Sequence, residues 1–205
     1  NLDLLYMVPL LWGNDILPKY IHFAFALLTA LLIYTHLRKR LGGVYGLLGA
    51  LFFLSTPVIV KLSTTVYVDL GLSCFTSAAL FALVKWIENQ YATRYLLLSA
   101  LCCGLALGTK YNGLIVFFLM SCAVPLSYLK AQRRDAGTRN ERRQLKALAY
   151  GGVFIAASMV VFSPWMIKNM YLTGNPVYPL YKGFFQKSST PSVERQDEGK
   201  PAGQL

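Results

Sequence analysis

One carboxylate and two lysines have the placement that chemistry on a charged substrate needs. Asp69 stands in Thr64-Thr65-Val66-Tyr67-Val68-Asp69-Leu70, between apolar runs at 44–62 and 70–87, and the next acid is Glu88. A carboxylate left in hydrocarbon costs several kcal/mol, so an acid here needs a reason. It either caps a helix starting at Leu70, where the positive end of the dipole favours it, or lines a polar site at the membrane surface. Lys110 lies in Gly108-Thr109-Lys110-Tyr111-Asn112-Gly113, and Lys168 in Pro164-Trp165-Met166-Ile167-Lys168-Asn169. A carboxylate with cations suits the transfer of a group off a phosphate. The cations stabilise the departing phosphate, and the carboxylate takes a proton from the acceptor or holds a divalent metal ion. Lysine serves as a point charge, without arginine's fork. The blander alternative for both lysines is snorkelling at a span end.

Aromatic and turn-forming residues surround these three. Tyr67, Tyr111, Tyr178 and Tyr181 suit either stacking on sugar faces or an interface belt. Asn175 belongs to Thr173-Gly174-Asn175-Pro176-Val177-Tyr178-Pro179, which is dense in turn formers. His22 and His36 are isolated and read as ordinary border residues. Gly104, Gly108 and Gly113 suit helix packing better than a phosphate loop. The sequence has no phosphate-loop motif, dinucleotide fingerprint or Ser/His/Asp arrangement. Cys74, Cys102, Cys103 and Cys122 all fall in apolar runs, without metal or disulfide spacing.

The elements that must position these residues are membrane helices. The chain has 205 residues, of which 55% are hydrophobic and 14% charged, and its mean hydropathy is +0.45. Soluble domains carry roughly a quarter charged residues. The net charge of +11 does not indicate a nucleic-acid partner. The basic residues lie between apolar spans, as topology signals and contacts to membrane lipids.

The expected fold is all-α: a polytopic transmembrane bundle of about six spans with an N-terminal interfacial amphipathic helix. Residues 1–20 form the juxtamembrane segment, with Trp12 as a headgroup anchor. Residues 21–187 hold the spans, at 21–37, 44–62, 70–87, 95–107, 114–129 and 147–166, with Pro57 kinking or ending the second. Residues 188–205 form a polar tail expected to be disordered. Arg38-Lys39-Arg40 and the basic loop at 130–146 should both be cytoplasmic, and six alternating spans put them on one side. The turns carrying Asp69, Lys110, Lys168 and Asn175 then share the extracytoplasmic surface.

Four stretches in order carry a family resemblance. They are Pro57 with Thr65-Val66-Tyr67-Val68-Asp69-Leu70, Gly104-Leu105-Ala106-Leu107-Gly108-Thr109-Lys110-Tyr111-Asn112-Gly113-Leu114, Pro164-Trp165-Met166-Ile167-Lys168-Asn169, and Thr173-Gly174-Asn175-Pro176-Val177-Tyr178-Pro179. Across roughly residues 1–180 the chain resembles the bacterial GT-C glycosyltransferases related to protein O-mannosyltransferases and the lipid A aminoarabinose transferase. The resemblance implies a multi-pass enzyme of the bacterial inner membrane with its active face extracytoplasmic. It would move a sugar from a polyprenyl-phosphate donor to a lipid, glycan or protein acceptor, with no certain cofactor beyond a possible divalent metal ion. Asp69 matches the family's second acidic position, and Lys110 and Lys168 match basic positions. Tyr111, Tyr67 and Asn175 join Lys110 and Lys168 as candidate substrate contacts.

The family's first acidic motif would precede Asn1, and Asp3 and Asp15 do not sit in its context. The family also has more spans and often a C-terminal soluble domain. The sequence is therefore expected to be a fragment that is catalytically incomplete by itself. The competing readings are a transporter or flippase, which favours internal repeats and midplane breaks, and a non-catalytic membrane subunit.

Overall fold

The computed structural model describes residues 2–13, 16–65, 67–132 and 140–176. Its regular structure is entirely helical: α1 (Leu2–Leu11), α2 (Leu17–Leu41), α3 (Gly43–Ser55), α4 (Pro57–Ser63), α5 (Asp69–Glu88), α6 (Thr93–Leu107), α7 (Gly113–Gln132) and α8 (Asn140–Thr173). The chain divides into two compact units, residues 1–163 and 164–205. The tail at 188–205, Tyr178, Tyr181 and loop residues 133–139 lie outside the described residues.

Local sequence sets the breaks. Helix α2 has Pro18 in its first turn and Arg38, Lys39 and Arg40 in its last, where the negative end of the dipole favours cations. Gly42 follows at φ 104°, a conformation that side chains resist, and the chain reverses into α3. Proline pushes the residue before it into extended backbone. Thr56 accordingly adopts φ −61°, ψ 123° ahead of Pro57, and α3 and α4 meet at a 65° bend. Pro57 thus acts as the expected kink.

Every segment expected to span is helical. Among the described residues, four helices are long and apolar enough to cross a membrane, and the bent α3–α4 pair makes a fifth crossing if it counts as one. Helix α6 has 15 residues, or roughly 22 Å at 1.5 Å per residue, short of the ~30 Å hydrocarbon core. It nevertheless returns from one end of α5 to the other. A tight turn with Gln90 at φ 51° and Tyr91 at φ 62° joins it to the Glu88 end. Beyond its C-terminus, Lys110 reaches Asp69 at the opposite end of α5.

The core of the first unit lies among α5, α6, α7 and α8. It contains Leu83, Trp86, Leu96, Cys103, Met120, Val124, Tyr128 and Phe154. Small polar side chains bond across helices there: the Ser99 hydroxyl donates to the Ala79 carbonyl at 2.8 Å and the Ser158 hydroxyl to the Ala100 carbonyl at 3.0 Å. At Gly104 an added Cβ would lie 2.6 Å from the Ser158 carbonyl oxygen, so a small residue is required for α6 to approach α8. Such contacts hold helices together in lipid, where the hydrophobic effect supplies no drive between them. The outer faces carry Phe52, Ile115, Phe118 and Leu119 exposed, as a lipid-facing surface requires.

Candidate functional site

Helix α5 begins at Asp69, and Val68 is its N-cap residue. Asp69 is therefore the first helical residue and not the cap. Its carboxylate still lies in the first turn, where the helix dipole favours negative charge. Instead of closing on its own helix, it accepts a hydrogen bond from the Lys110 ammonium, with Nζ 2.7 Å from Oδ1. About a third of each side chain remains exposed (32% for both), so a substrate can reach either partner.

Lys110 is held by the turn between α6 and α7. The Gly108 amide donates to the Gly104 carbonyl, the Thr109 amide to Ala106, and the Gly113 amide to the Lys110 carbonyl at 2.8 Å. The Thr109 hydroxyl also donates to the Leu105 carbonyl at 2.8 Å. Gly108 has an ordinary φ of −76°, so its freedom to adopt positive φ is unused. Gly113 is required for another reason: an added Cβ would strike the Ala106 carbonyl and lie 2.8 Å from the Leu107 Cα. The hydrogen bond that Lys110 donates to Asp69 raises the Lys110 pKa above its ordinary 10.5, outweighing desolvation. Lys110 is thus charged throughout the physiological range.

The sequence did not reveal what lies behind the acid. His22 is fully buried on α2 and Tyr6 is buried on α1. The Tyr6 hydroxyl donates to the Tyr67 carbonyl oxygen at 3.1 Å and lies 3.0 Å from His22 Nδ1. Nε2 of His22 is buried and without a hydrogen-bond partner among the described residues. Leu2 packs where Gly71 lacks a side chain. Helix α1 thereby clamps the Tyr67–Asp69 turn from behind. Only the i, i+4 spacing of Leu2 and Tyr6 hinted at this buried face.

The structure brings together Asp69 and Lys110, 41 residues apart in sequence. Tyr67 and Tyr111 flank them with exposed side chains, at 57% and 63%. Lys168 and Asn175 belong to the second unit. There Lys168 is exposed on the last turns of α8. Asn175 is buried, and its amide donates to the Thr173 hydroxyl at 3.4 Å.

A divalent ion does not fit the described residues. Asp69 Oδ1 is engaged by a lysine whose charge repels a cation, and no group of three His, Cys, Asp or Glu converges among the described residues.

The model of the dolichyl-phosphate-mannose-protein mannosyltransferase family matches residues 7–167, a stretch that includes both Asp69 and Lys110. The chain belongs to that family. No curated protein and no solved structure matches it. Membership makes it a membrane glycosyltransferase of the mannosyltransferase type, in agreement with its apolar helices.

Proposed function

We propose that Asp69 and Lys110 form the reactive pair of an extracytoplasmic site that transfers a sugar from a polyprenyl-phosphate donor to a hydroxyl acceptor. The observation that carries this reading is their one-third-exposed ion pair at the N-terminus of a membrane helix. In the free enzyme each charge neutralises the other. An arriving donor phosphate competes for Lys110 and releases the Asp69 carboxylate. The acceptor oxygen then attacks the anomeric carbon. The bond from that carbon to the phosphate oxygen breaks, and its electron pair leaves with the polyprenyl phosphate beside Lys110. The acceptor proton passes to Asp69. A fixed cation at the departing oxygen is the electrostatic assistance this step needs. Tyr67 and Tyr111 offer faces on which the sugar can rest.

Exchange of partners makes two opposite demands on one variant. Asp69→Asn removes the base and should lower transfer by ~10²-fold or more, the usual scale for an acid–base group. The same change frees Lys110 and should tighten donor binding. Transfer from a polyprenyl-phosphate sugar and donor affinity are measured on the full-length protein, with melting temperature as the folding control. Unchanged turnover, or donor binding weakened alongside transfer, would sink the exchange.

The transporter reading has one observation in its favour, the broken α3–α4 pair. At that break, however, the Ser55 and Thr56 hydroxyls both donate back to the Phe52 carbonyl, and no ionisable residue occupies it. The break therefore offers a cargo little to bind.

A further inference from the structure

At the far end of α5, a groove of about 210 Å³ lies between α2 and α5. It is lined from α2 by Leu32, Thr35, His36, Lys39 and Arg40, and from α5 by Phe81, Lys85 and Glu88. The α2 residues recur at i, i+3, i+4, i+7 and i+8, and the α5 residues at i, i+4 and i+7, so each set is one stripe of its helix. The groove changes character along its length. Leu32 and Phe81 form the apolar end. His36 lies next, its ring stacked on Phe81 with centroids 4.4 Å apart and planes 14° apart. The ends of the helices bring Lys39, Arg40 and Lys85, all exposed. Glu88 is the one acid in the lining, and it is paired with Arg40. Three cations against one acid leave the groove with excess positive charge.

From this gradient we infer that the groove seats one anionic phospholipid. Its phosphate lies between Lys39 and Lys85, and its upper acyl chain lies against Phe81 and Leu32. A free phosphate would need only the charges, and the apolar floor in line with them fits a lipid. Basic pockets between spanning helices on the cytoplasmic side bind anionic headgroups in this way, and the positive-inside rule puts Arg38-Lys39-Arg40 on that side. The inference does not rest on the transferase reading, because the Asp69–Lys110 pair lies at the other end of α5.

The test is native mass spectrometry of the full-length protein, released from detergent micelles containing equal phosphatidylglycerol and phosphatidylcholine. Wild type should retain one phosphatidylglycerol in preference to phosphatidylcholine. Each of Lys39→Ala and Lys85→Ala should weaken that retention roughly five-fold, as about 1 kcal/mol per surface cation implies. Glu88→Gln should strengthen it, because Arg40 is released from its partner, and this gain keeps the proposal testable if a lysine variant folds poorly. Glycerol phosphate added at the lipid's concentration should not displace the adduct, and displacement by it would overturn the lipid in favour of a free phosphate. Equal retention of the two lipids by wild type, or retention unaffected by all three substitutions, would overturn the site.

Discussion

At its N-terminus α5 presents Asp69 to Lys110, and at its C-terminus it presents Glu88 to Arg40. The two pairs stand in opposite relation to the helix dipole. Asp69 lies in the first turn, where negative charge is favoured, whereas Glu88 lies in the last, where it is opposed. Glu88 therefore depends on Arg40, while Asp69 would be comfortable without Lys110. The neighbourhoods differ as well. The Asp69 end joins one acid to one cation, with exposed tyrosines in front and a buried imidazole behind. The Glu88 end carries Lys39 and Lys85 beyond its pair. A balanced pair can exchange partners when an anion arrives. A groove with surplus cations keeps a standing attraction for anions, without any gain or loss of a proton.

The largest effect that separates the two ends is all-or-none. If they lie on opposite sides of the membrane, single cysteines at Asn112 and Gln90 should differ completely in access. In a cysteine-free background, an impermeant thiol reagent applied to intact cells should label Asn112→Cys and spare Gln90→Cys. Permeabilised cells should label both. The reverse pattern would move the Asp69–Lys110 pair to the cytoplasmic side and remove the basis for an extracytoplasmic transferase.

Much of this contrast was legible in the sequence. The apolar runs set the helices, Pro57 set the bend, and the polar interruptions at Asp69 and Lys110 marked both members of the pair. Their contact was not legible. Apolar runs in lipid do not show which helix neighbours which, because every face is hydrophobic. For the same reason His22 looked like a border residue, and the i, i+4 spacing of Leu2 and Tyr6 was the one hint of the face that covers it. For Asp69 the sequence left open both a polar site and a cap, the usual place of acids at helix starts. The pull of Lys110 across the turn overrides that preference. Gly113 read as a packing position, and its lack of a Cβ does serve close packing against Ala106.

A smaller effect tests which partner Lys110 serves. If it holds the donor phosphate, Lys110→Ala should weaken donor binding by roughly ten- to a hundred-fold, from the 1.5–3 kcal/mol typical of a hydrogen bond to a charged group. Acceptor binding should change little. Lys110→Arg should recover part of the loss, since charge is kept while geometry changes. Lys39→Ala, at the opposite end, should leave donor affinity as in wild type. Titration of donor into the four proteins in one detergent separates the ends. Equal donor affinity in wild type and Lys110→Ala would return Lys110 to the role of a snorkelling lysine.

The smallest effect concerns stability against pH. The hydrogen bond donated to Asp69 holds the Lys110 pKa above its ordinary 10.5. A cation whose pKa is raised by folding adds stability that is fully present below its unfolded value. That stability is lost as pH rises through the folded value. With a third of each side chain exposed, solvent screening limits the contribution to ~1 kcal/mol or less. The difference in unfolding free energy between wild type and Lys110→Met should therefore stay level from about pH 7 to 10 and shrink above 10.5. Added salt should reduce it at neutral pH, since the pair is within reach of solvent ions. The Arg40–Glu88 pair supplies the contrast, because arginine keeps its charge throughout this range. The difference between wild type and Arg40→Met should hold level through pH 11. Thermal unfolding of the three proteins across alkaline buffers makes the comparison. A Lys110 contribution that does not begin to shrink above 10.5, or that already fades near neutrality, would show that the ammonium is not held by Asp69 as described.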